Sequence, residues 1–263
     1  RHKIAEELRI AIHEEDFELH YQPQIDVDNE KIIGAEALVR WRHPQKGFIS
    51  PGQFIPVAEE TGLIQPLGEW IFRTACKQLK CWLDQGLTDF KLAINISAYR
   101  LEQSDFLRKV EAILEEYSLN PQLLELELTE STMLSDIDKA SSLLKQLKLR
   151  GFSLAMDDFG TGYSSLSYLK DLPFDQVKID QSFIREIHTN DDSAMLVKTI
   201  LAMAQHLKLS VVAEGVETYE QLAYLKRLGC DRAQGFYFSR PLPADDFAES
   251  LFSSQFNSDI TSA

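Results

Sequence analysis

The sequence predicts a (β/α)₈ barrel, and three observations carry that expectation. Strand-like and helical runs alternate along nearly the whole chain, which implies a mostly parallel sheet covered by helices. The strand-like runs number eight, which favours closure over an open sheet. Residues able to bind a metal ion or a phosphate recur at the C-terminal part of seven of those runs: Glu36, Asn95, Glu127, Asp157 with Asp158, Lys178, Glu214 and Gln234. In such a barrel the C-terminal strand ends converge on one mouth, so residues far apart in sequence meet there.

The elements are read in order as follows. Residues 1–16 form an amphipathic entry helix with Ile4, Leu8 and Ile12 on one stripe. The barrel occupies 17–252, with strands at Phe17–Ile25, Lys31–Trp41, Lys91–Ser97, Leu123–Thr129, Ser153–Asp158, Gln176–Asp180, Ser210–Glu217 and Ala233–Ser239. Helical patterns between them include Gly68–Gln85, Asp105–Tyr117, Ile137–Arg150, Ser193–Leu207 and Tyr219–Leu228. Residues 253–263 are polar and are expected to be a frayed, disordered tail.

One connection breaks the alternation. Only Asp26 to Glu30 separates the first two strands, whereas a parallel crossover needs a dozen or more residues. The first strand must therefore run antiparallel to the second. The run Leu124–Thr129 alternates leucine and glutamate, so its leucines should face the helices while Glu125 and Glu127 face the barrel interior. Two inward glutamates need a cation to meet them.

Bulk properties narrow the function. The chain has 263 residues, 44% hydrophobic, and a net charge of −14, which disfavours DNA, RNA or anionic-membrane binding. Three cysteines without CxxC spacing argue against a disulfide framework or zinc ribbon and fit small core positions in a reducing, cytoplasmic setting. No apolar run is long enough to span a membrane and no signal peptide is visible. The chain begins at Arg1 without a methionine, so a domain cut from a longer protein is expected, one whose other parts could carry sensors or membrane helices.

The acidic mouth points to chemistry. Carboxylates at close range cannot all stay ionised without cations. An oxygen-only ligand set without histidine or thiolate selects Mg²⁺ or Mn²⁺ over Zn²⁺. Of the six histidines none forms an HxxxH pair, and His43, near a mouth loop, reads as a loop hydrogen-bonder. Asp157–Asp158 is the sharpest local feature: one carboxylate could bridge two metals about 3.5–4 Å apart while the other serves the second, activating a water for in-line attack on a phosphate ester. A helix-capping Asp-Asp turn is the structural alternative. Lys178, in an apolar strand, could orient the attacking water or offset phosphate charge; the alternative is a structural ion pair with Asp180.

Longer motifs carry a family resemblance. Glu36-Ala37-Leu38-Val39-Arg40 follows Tyr21-Gln22-Pro23 and leads into Trp41-Arg42-His43-Pro44 and Phe54-Ile55-Pro56. Asn95-Ile96-Ser97, Glu127-Leu128-Thr129-Glu130, Asp157-Asp158-Phe159-Gly160-Thr161-Gly162, Lys178-Ile179-Asp180, Glu214-Gly215-Val216-Glu217 and Gln234-Gly235 complete the series. Over about residues 5–250 this order and spacing resembles the EAL domains, bacterial phosphodiesterases of cyclic di-GMP. The resemblance implies a barrel with an antiparallel first strand and hydrolysis of cyclic di-GMP to linear pGpG with Mg²⁺ or Mn²⁺, two ions. It implies metal ligation by Glu36, Asn95, Glu127, Asp157, Asp158, Glu214 and Glu217, with Lys178, Glu214 and Glu36 catalytic. It further implies substrate contacts from Gln22, Leu38, Arg40 and Gln234, with Glu130 anchoring the loop near Gly160–Ser164. A homodimer and upstream sensor or GGDEF-type domains are the implied partners. One departure stands out: Arg100 occupies a position where the family often has glutamine, which puts local substrate contacts in doubt. The rival reading is a catalytically silent receptor of the same nucleotide. Asp158-Phe159-Gly160 mimics a kinase motif and Gly160-Thr161-Gly162 a dinucleotide fingerprint, but neither has its companion motifs.

Overall fold

In the computed structural model, residues 2–129, 137–161 and 166–261 are described. Eight strands close a barrel: β1 (Phe17–Asp26), β2 (Ile32–His43), β4 (Lys91–Asn95), β5 (Leu124–Thr129), β6 (Ser153–Phe159), β7 (Gln176–Ile179), β8 (Ser210–Ala213) and β9 (Arg232–Ala233). Each of β2, β4, β5, β6, β7 and β8 pairs in parallel with the next barrel strand, the series ending at β9. β1 closes the ring antiparallel to both β2 and β9, as the short 26–30 link requires.

Two short strands escaped the sequence reading. β3 (Gly47–Ile49) extends β2 as a hairpin, and β10 (Leu242–Pro243) adds to β1. The last two barrel strands are also shorter than their apolar runs, because Glu214–Thr218 and Gln234–Ser239 leave the ladder to build the mouth.

Alternation sets the layers. Leu124, Leu126 and Leu128 are buried against the helical shell, while Glu125 and Glu127 are buried inside the barrel. Beneath the mouth, Glu125 accepts from Gln176 Nε2 at 2.7 Å, and Lys91 Nζ donates to Ser153 Oγ. The helix Ile64–Asp84 buries Leu67, Ile71, Ala75, Leu79 and Trp82 at helical spacing. Trp82 meets the Tyr21 ring edge-on at 4.8 Å and Phe247 at 5.1 Å, tying the reversed first strand to the last helix.

The entry helix spans His2–Glu14, with Leu8 and Ala11 buried and Ile4 and Ile12 packed on the core. The last helix spans Ala244–Thr261, so the segment expected to be a frayed tail from 253 is helical as far as 261. Phe247 and Leu251, one turn apart and fully buried, nucleate it on the barrel, and extending a formed helix costs little. Of the cysteines, Cys76 and Cys230 are buried as expected, whereas Cys81 is exposed; all three are free thiols. His43 accepts at Nδ1 from the Gln45 and Lys46 backbone N–H groups, the loop role expected of it. No helix among the described residues is long and apolar enough to cross a membrane.

Candidate active site

Parallel pairing brings the scattered carboxylates together. Register places Glu36 beside Ala93 and Asn95 beside Glu127, and Thr129 beside Asp157. Glu36 lies within β2 rather than at its end, because β2 runs on past the mouth into the β3 hairpin. Glu214 lies one residue past β8, and Gln234 one past β9.

The Asp157–Asp158 pair is presented by a bulge. Met156 pairs with Val177 but Phe159 with Ile179, so three steps on β6 oppose two on β7. Asp158 takes the left-handed φ of 54°, an arrangement costing on the order of 1 kcal/mol for a non-glycine residue. This kink turns both carboxylates toward the mouth, where alternation alone would have sent one outward. Carboxylate oxygens of Glu36, Glu127 and Asp157 lie within 4.8 Å of one another, and so do those of Asp157, Asp158 and Glu214. Asp157 is common to both groups, so of the paired aspartates it is the one placed to bridge two cations.

Lys178 stands at the centre. Its Nζ lies 2.8 Å from Glu127, 2.8 Å from Glu214, 3.2 Å from Glu36 and 3.3 Å from Asp157, and the side chain is 0% exposed. The expected alternative pairing with Asp180 is not the one formed; Asp180 instead caps the helix Gln181–Arg185 through the Ser182 N–H.

One lysine cannot balance these acids. Burial, with the neighbouring Glu36 and Asp157 charges, holds the Glu127 carboxyl well above the usual carboxylate range. Burial pushes Glu214 up to about 8 despite Lys178, and burial with Asp157 raises Asp158. Glu36 goes the other way: burial is outweighed by Lys178 and by hydrogen bonds from Gln234 and Asn95. The surrounding acids outweigh burial at Lys178 and hold it protonated. Buried Glu127 Oε1 has no partner among the described residues. An excess of buried carboxyl oxygens, two three-carboxylate groups sharing one member, and an unpartnered oxygen on Glu127 in one of them fit divalent cations with hard-oxygen preference.

Amides complete the floor. Asn95 Nδ2 donates to Glu36 Oε1 at 2.6 Å, and Gln234 Nε2 donates to Glu36 Oε2 at 2.7 Å and to Gln22 Oε1 at 3.0 Å. Gln22, Leu38 and Gln234 line a polar cavity of about 260 Å³ with Glu36, Asp157, Asp158 and Glu214. Arg40 is half-buried, donates to its neighbour Val39 O at 2.9 Å, and lines an adjoining cavity to which Leu38 also belongs. Glu217 reaches the rim of the polar cavity but stands outside both carboxylate groups. Glu130 lies outside the described residues, as do residues 162–165 of the loop it was expected to anchor.

Sequence reasoning missed Gln181, Gly215 and Phe236, which also line the polar cavity. Each directly follows a residue it had singled out, or lies within two positions of one, so proximity was the available signal. The helix Pro51–Glu60, which walls the adjoining cavity, was missed too, because its prolines at 51 and 56 read as loop.

The comparisons agree with this geometry. The EAL domain family model matches residues 5–241. The bifunctional diguanylate cyclase/cyclic di-GMP phosphodiesterase MucR of Pseudomonas aeruginosa is 46% identical over 249 residues, 95% of this chain and 36% of MucR. The cyclic di-GMP phosphodiesterase NbdA of the same organism is 43% identical, over 97% of this chain and 33% of NbdA. The chain thus spans about a third of these relatives. The solved PaMucR phosphodiesterase in complex with c-di-GMP superposes with a TM-score of 0.90 at 46% identity, covering 93% of this chain and 99% of that one. With its barrel, its reversed first strand and its convergent carboxylates, this chain belongs to the EAL domain family.

Proposed function

We propose that the chain is a metal-dependent phosphodiesterase that opens cyclic di-GMP to linear pGpG. The observation that carries this reading is the pair of carboxylate groups sharing Asp157 around Lys178. The naming of MucR and NbdA as cyclic di-GMP phosphodiesterases supports the substrate.

Two Mg²⁺ or Mn²⁺ ions held by Glu36, Asn95, Glu127, Asp157, Asp158 and Glu214 would supply a water of lowered pKa and neutralise phosphoryl charge. Glu217 would contribute from the rim through water. The protein's own groups do the rest. Lys178 holds four carboxylates in convergent positions and offers a proton donor beside the attacking water. Glu214, grouped with Asp157 and Asp158, is suited to orient that water. Gln234 fixes Glu36 and is itself held by Gln22, both facing the sugar-phosphate, Arg40 meets a phosphate, and Leu38 separates the polar cavity from an apolar one suited to a base. Within a longer parent chain, a homodimer coupled to sensor or GGDEF-type domains in the cytoplasm is the setting this reading favours.

A turnover assay tests it: purified protein, cyclic di-GMP and Mn²⁺ or Mg²⁺, with products separated by chromatography. Formation of pGpG, abolished by a chelator and by Glu36→Ala, is expected. Nucleotide binding without product would make the chain a receptor, and absence of both would overturn the reading.

A further inference from the structure

The loop 214–218, which brings Glu214, Gly215 and Glu217 to the polar cavity, is fastened by a side chain that lies outside that cavity. Gln221 is 7% exposed and stands in the first turn of the helix Tyr219–Arg227. Thr218 caps that helix: its Oγ1 accepts from the Gln221 N–H at 3.2 Å, and Gln221 Oε1 accepts from the Thr218 N–H at 3.1 Å. This reciprocal pair is a capping box, which asks only for an acceptor at the third helical position. Gln221 exceeds that requirement twice. Its Oε1 also accepts from the Glu217 N–H at 2.7 Å, and its Nε2 donates to Ile184 O at 3.2 Å.

The bond to Ile184 reaches a segment that touches both carboxylate-bearing turns. Ile184 is buried in the helix Gln181–Arg185, which follows β7. Gln181, the first residue of that helix, lines the polar cavity beside Gly215, and a Cβ on Gly215 would lie 2.5 Å from Gln181 Cβ. Helix and loop therefore meet there with no room for a side chain. Phe183, one turn along, packs under Gly160, where a Cβ would come within 3.0 Å of its ring. The short helix thus braces the turn after Asp158 on one side and the loop 214–218 on the other. Main-chain bonds hold the near end of that loop, from the Glu214 N–H to Ile179 O at 3.2 Å and from the Val216 N–H to Gln234 O at 3.1 Å. Gln221 holds its far end.

We propose that Gln221 is a positioning residue for the metal mouth, holding Glu214 and Glu217 against the helix Gln181–Arg185 so that their carboxylates face Asp157 and Asp158. The inference rests on the metal-dependent reading of the mouth. The Glu217 and Thr218 N–H groups belong to the two peptide planes that flank the Glu217 Cα. One oxygen that accepts from both fixes the φ and ψ between those planes, and with them the direction in which the Glu217 side chain leaves the backbone. The amide nitrogen then ties the loop to the brace beneath it. A glutamate would satisfy a capping box equally well but has no donor for Ile184 O, so the amide is what the second tie requires. Groups behind a metal's ligands matter because the ligands must hold their places to within about 0.5 Å.

The test is Mn²⁺ binding to the metal-free chain by calorimetry, with cyclic di-GMP hydrolysis at saturating Mn²⁺ beside it, for wild type, Gln221→Ala and Thr218→Ala. Thr218→Ala removes the other half of the same cap and leaves the bonds to the Glu217 N–H and Ile184 O in place, so it reports the loss of a helix cap alone. Gln221→Ala should weaken Mn²⁺ binding by about ten- to 100-fold, the range for supports behind metal ligands. It should lower kcat while KM stays near the wild-type value, because Gln22, Leu38, Arg40 and Gln234 lie on other segments. Thr218→Ala should lower the melting temperature yet leave Mn²⁺ binding near wild type. Gln221→Glu keeps both loop N–H acceptors and lacks only the donor to Ile184 O. It should weaken Mn²⁺ binding by less than Gln221→Ala, and it carries the comparison with Thr218→Ala if Gln221→Ala does not fold. Equal Mn²⁺ affinities for the Gln221 and Thr218 variants overturn the proposal, since a cap without further ties predicts that result. Failure of the wild-type chain to bind Mn²⁺ would strike the reading of the mouth and the inference with it. Mn²⁺ binding without hydrolysis would strike only the substrate, and the calorimetric comparison would still decide the role of Gln221.

Discussion

Replacing Lys178 by methionine keeps the shape of the side chain and deletes its charge. The structure sets the size of the effect. Glu36 would keep its bonds from Asn95 and Gln234, and Asp157 would keep the Asp158 N–H. Glu127 and Glu214 would lose the cation 2.8 Å away from each, the one N–H donor to either among the described residues. Stranding a buried polar group costs about 1–3 kcal/mol. Two such groups give roughly 2–6 kcal/mol, in line with the 3–5 kcal/mol typical of breaking a buried ion pair. Proton uptake by the orphaned carboxylates limits the loss, so the deficit should be largest near pH 8 and shrink toward pH 5. Urea unfolding in a chelator at both pH values, followed by circular dichroism, measures it. Lys80→Met, which removes an exposed pair with Asp84, serves as a control expected to change stability by under about 1 kcal/mol. A Lys178→Met deficit below about 1 kcal/mol at pH 8, or one independent of pH, would refute the argument.

Other consequences follow from the same site. Glu214, Glu127 and Asp158 have raised pKa values, so the folded, metal-free chain holds protons that the unfolded chain releases. Its stability should therefore fall as pH rises from about 4.5, the unfolded carboxylate value, to about 8 where Glu214 titrates; thermal melts in a chelator check this. Mn²⁺ should bind more tightly over the same rise, with proton release visible by calorimetry in buffers of different ionisation heat. Gly235→Ala should be strongly destabilising, because a Cβ there would overlap the Val216 backbone, which cannot yield as a flexible side chain would. A loss under about 0.5 kcal/mol in denaturant unfolding would contradict that contact.

Much of this protein is legible in one dimension. The period of its apolar runs separates strands from helices, and a link too short for a crossover reverses the first strand. The Leu-Glu alternation of β5 assigns Glu125 and Glu127 to the interior because side chains of a strand alternate strictly. Residue type alone selects a hard cation, since the candidate ligands include no histidine or thiolate. The composition therefore determined the barrel and the acids that line one end of it.

Tertiary structure decided how those acids meet. Strand register is a long-range property: nothing near Lys178 in sequence indicates that its Nζ would lie among Glu36, Glu127, Asp157 and Glu214 rather than with Asp180. The β6 bulge that turns Asp157 and Asp158 to the same side exists only through pairing with β7. The raised pKa of Glu214 comes from burial, which no local window reports. The second cavity is built by packing Pro51–Glu60 and Ile64–Asp84 over β2 and β4, so the buried position of Arg100 could not be read from its own segment. The sequence specifies which chemical groups are available; distances, burial and charge balance arise only when eight strands close and bring their ends to one place.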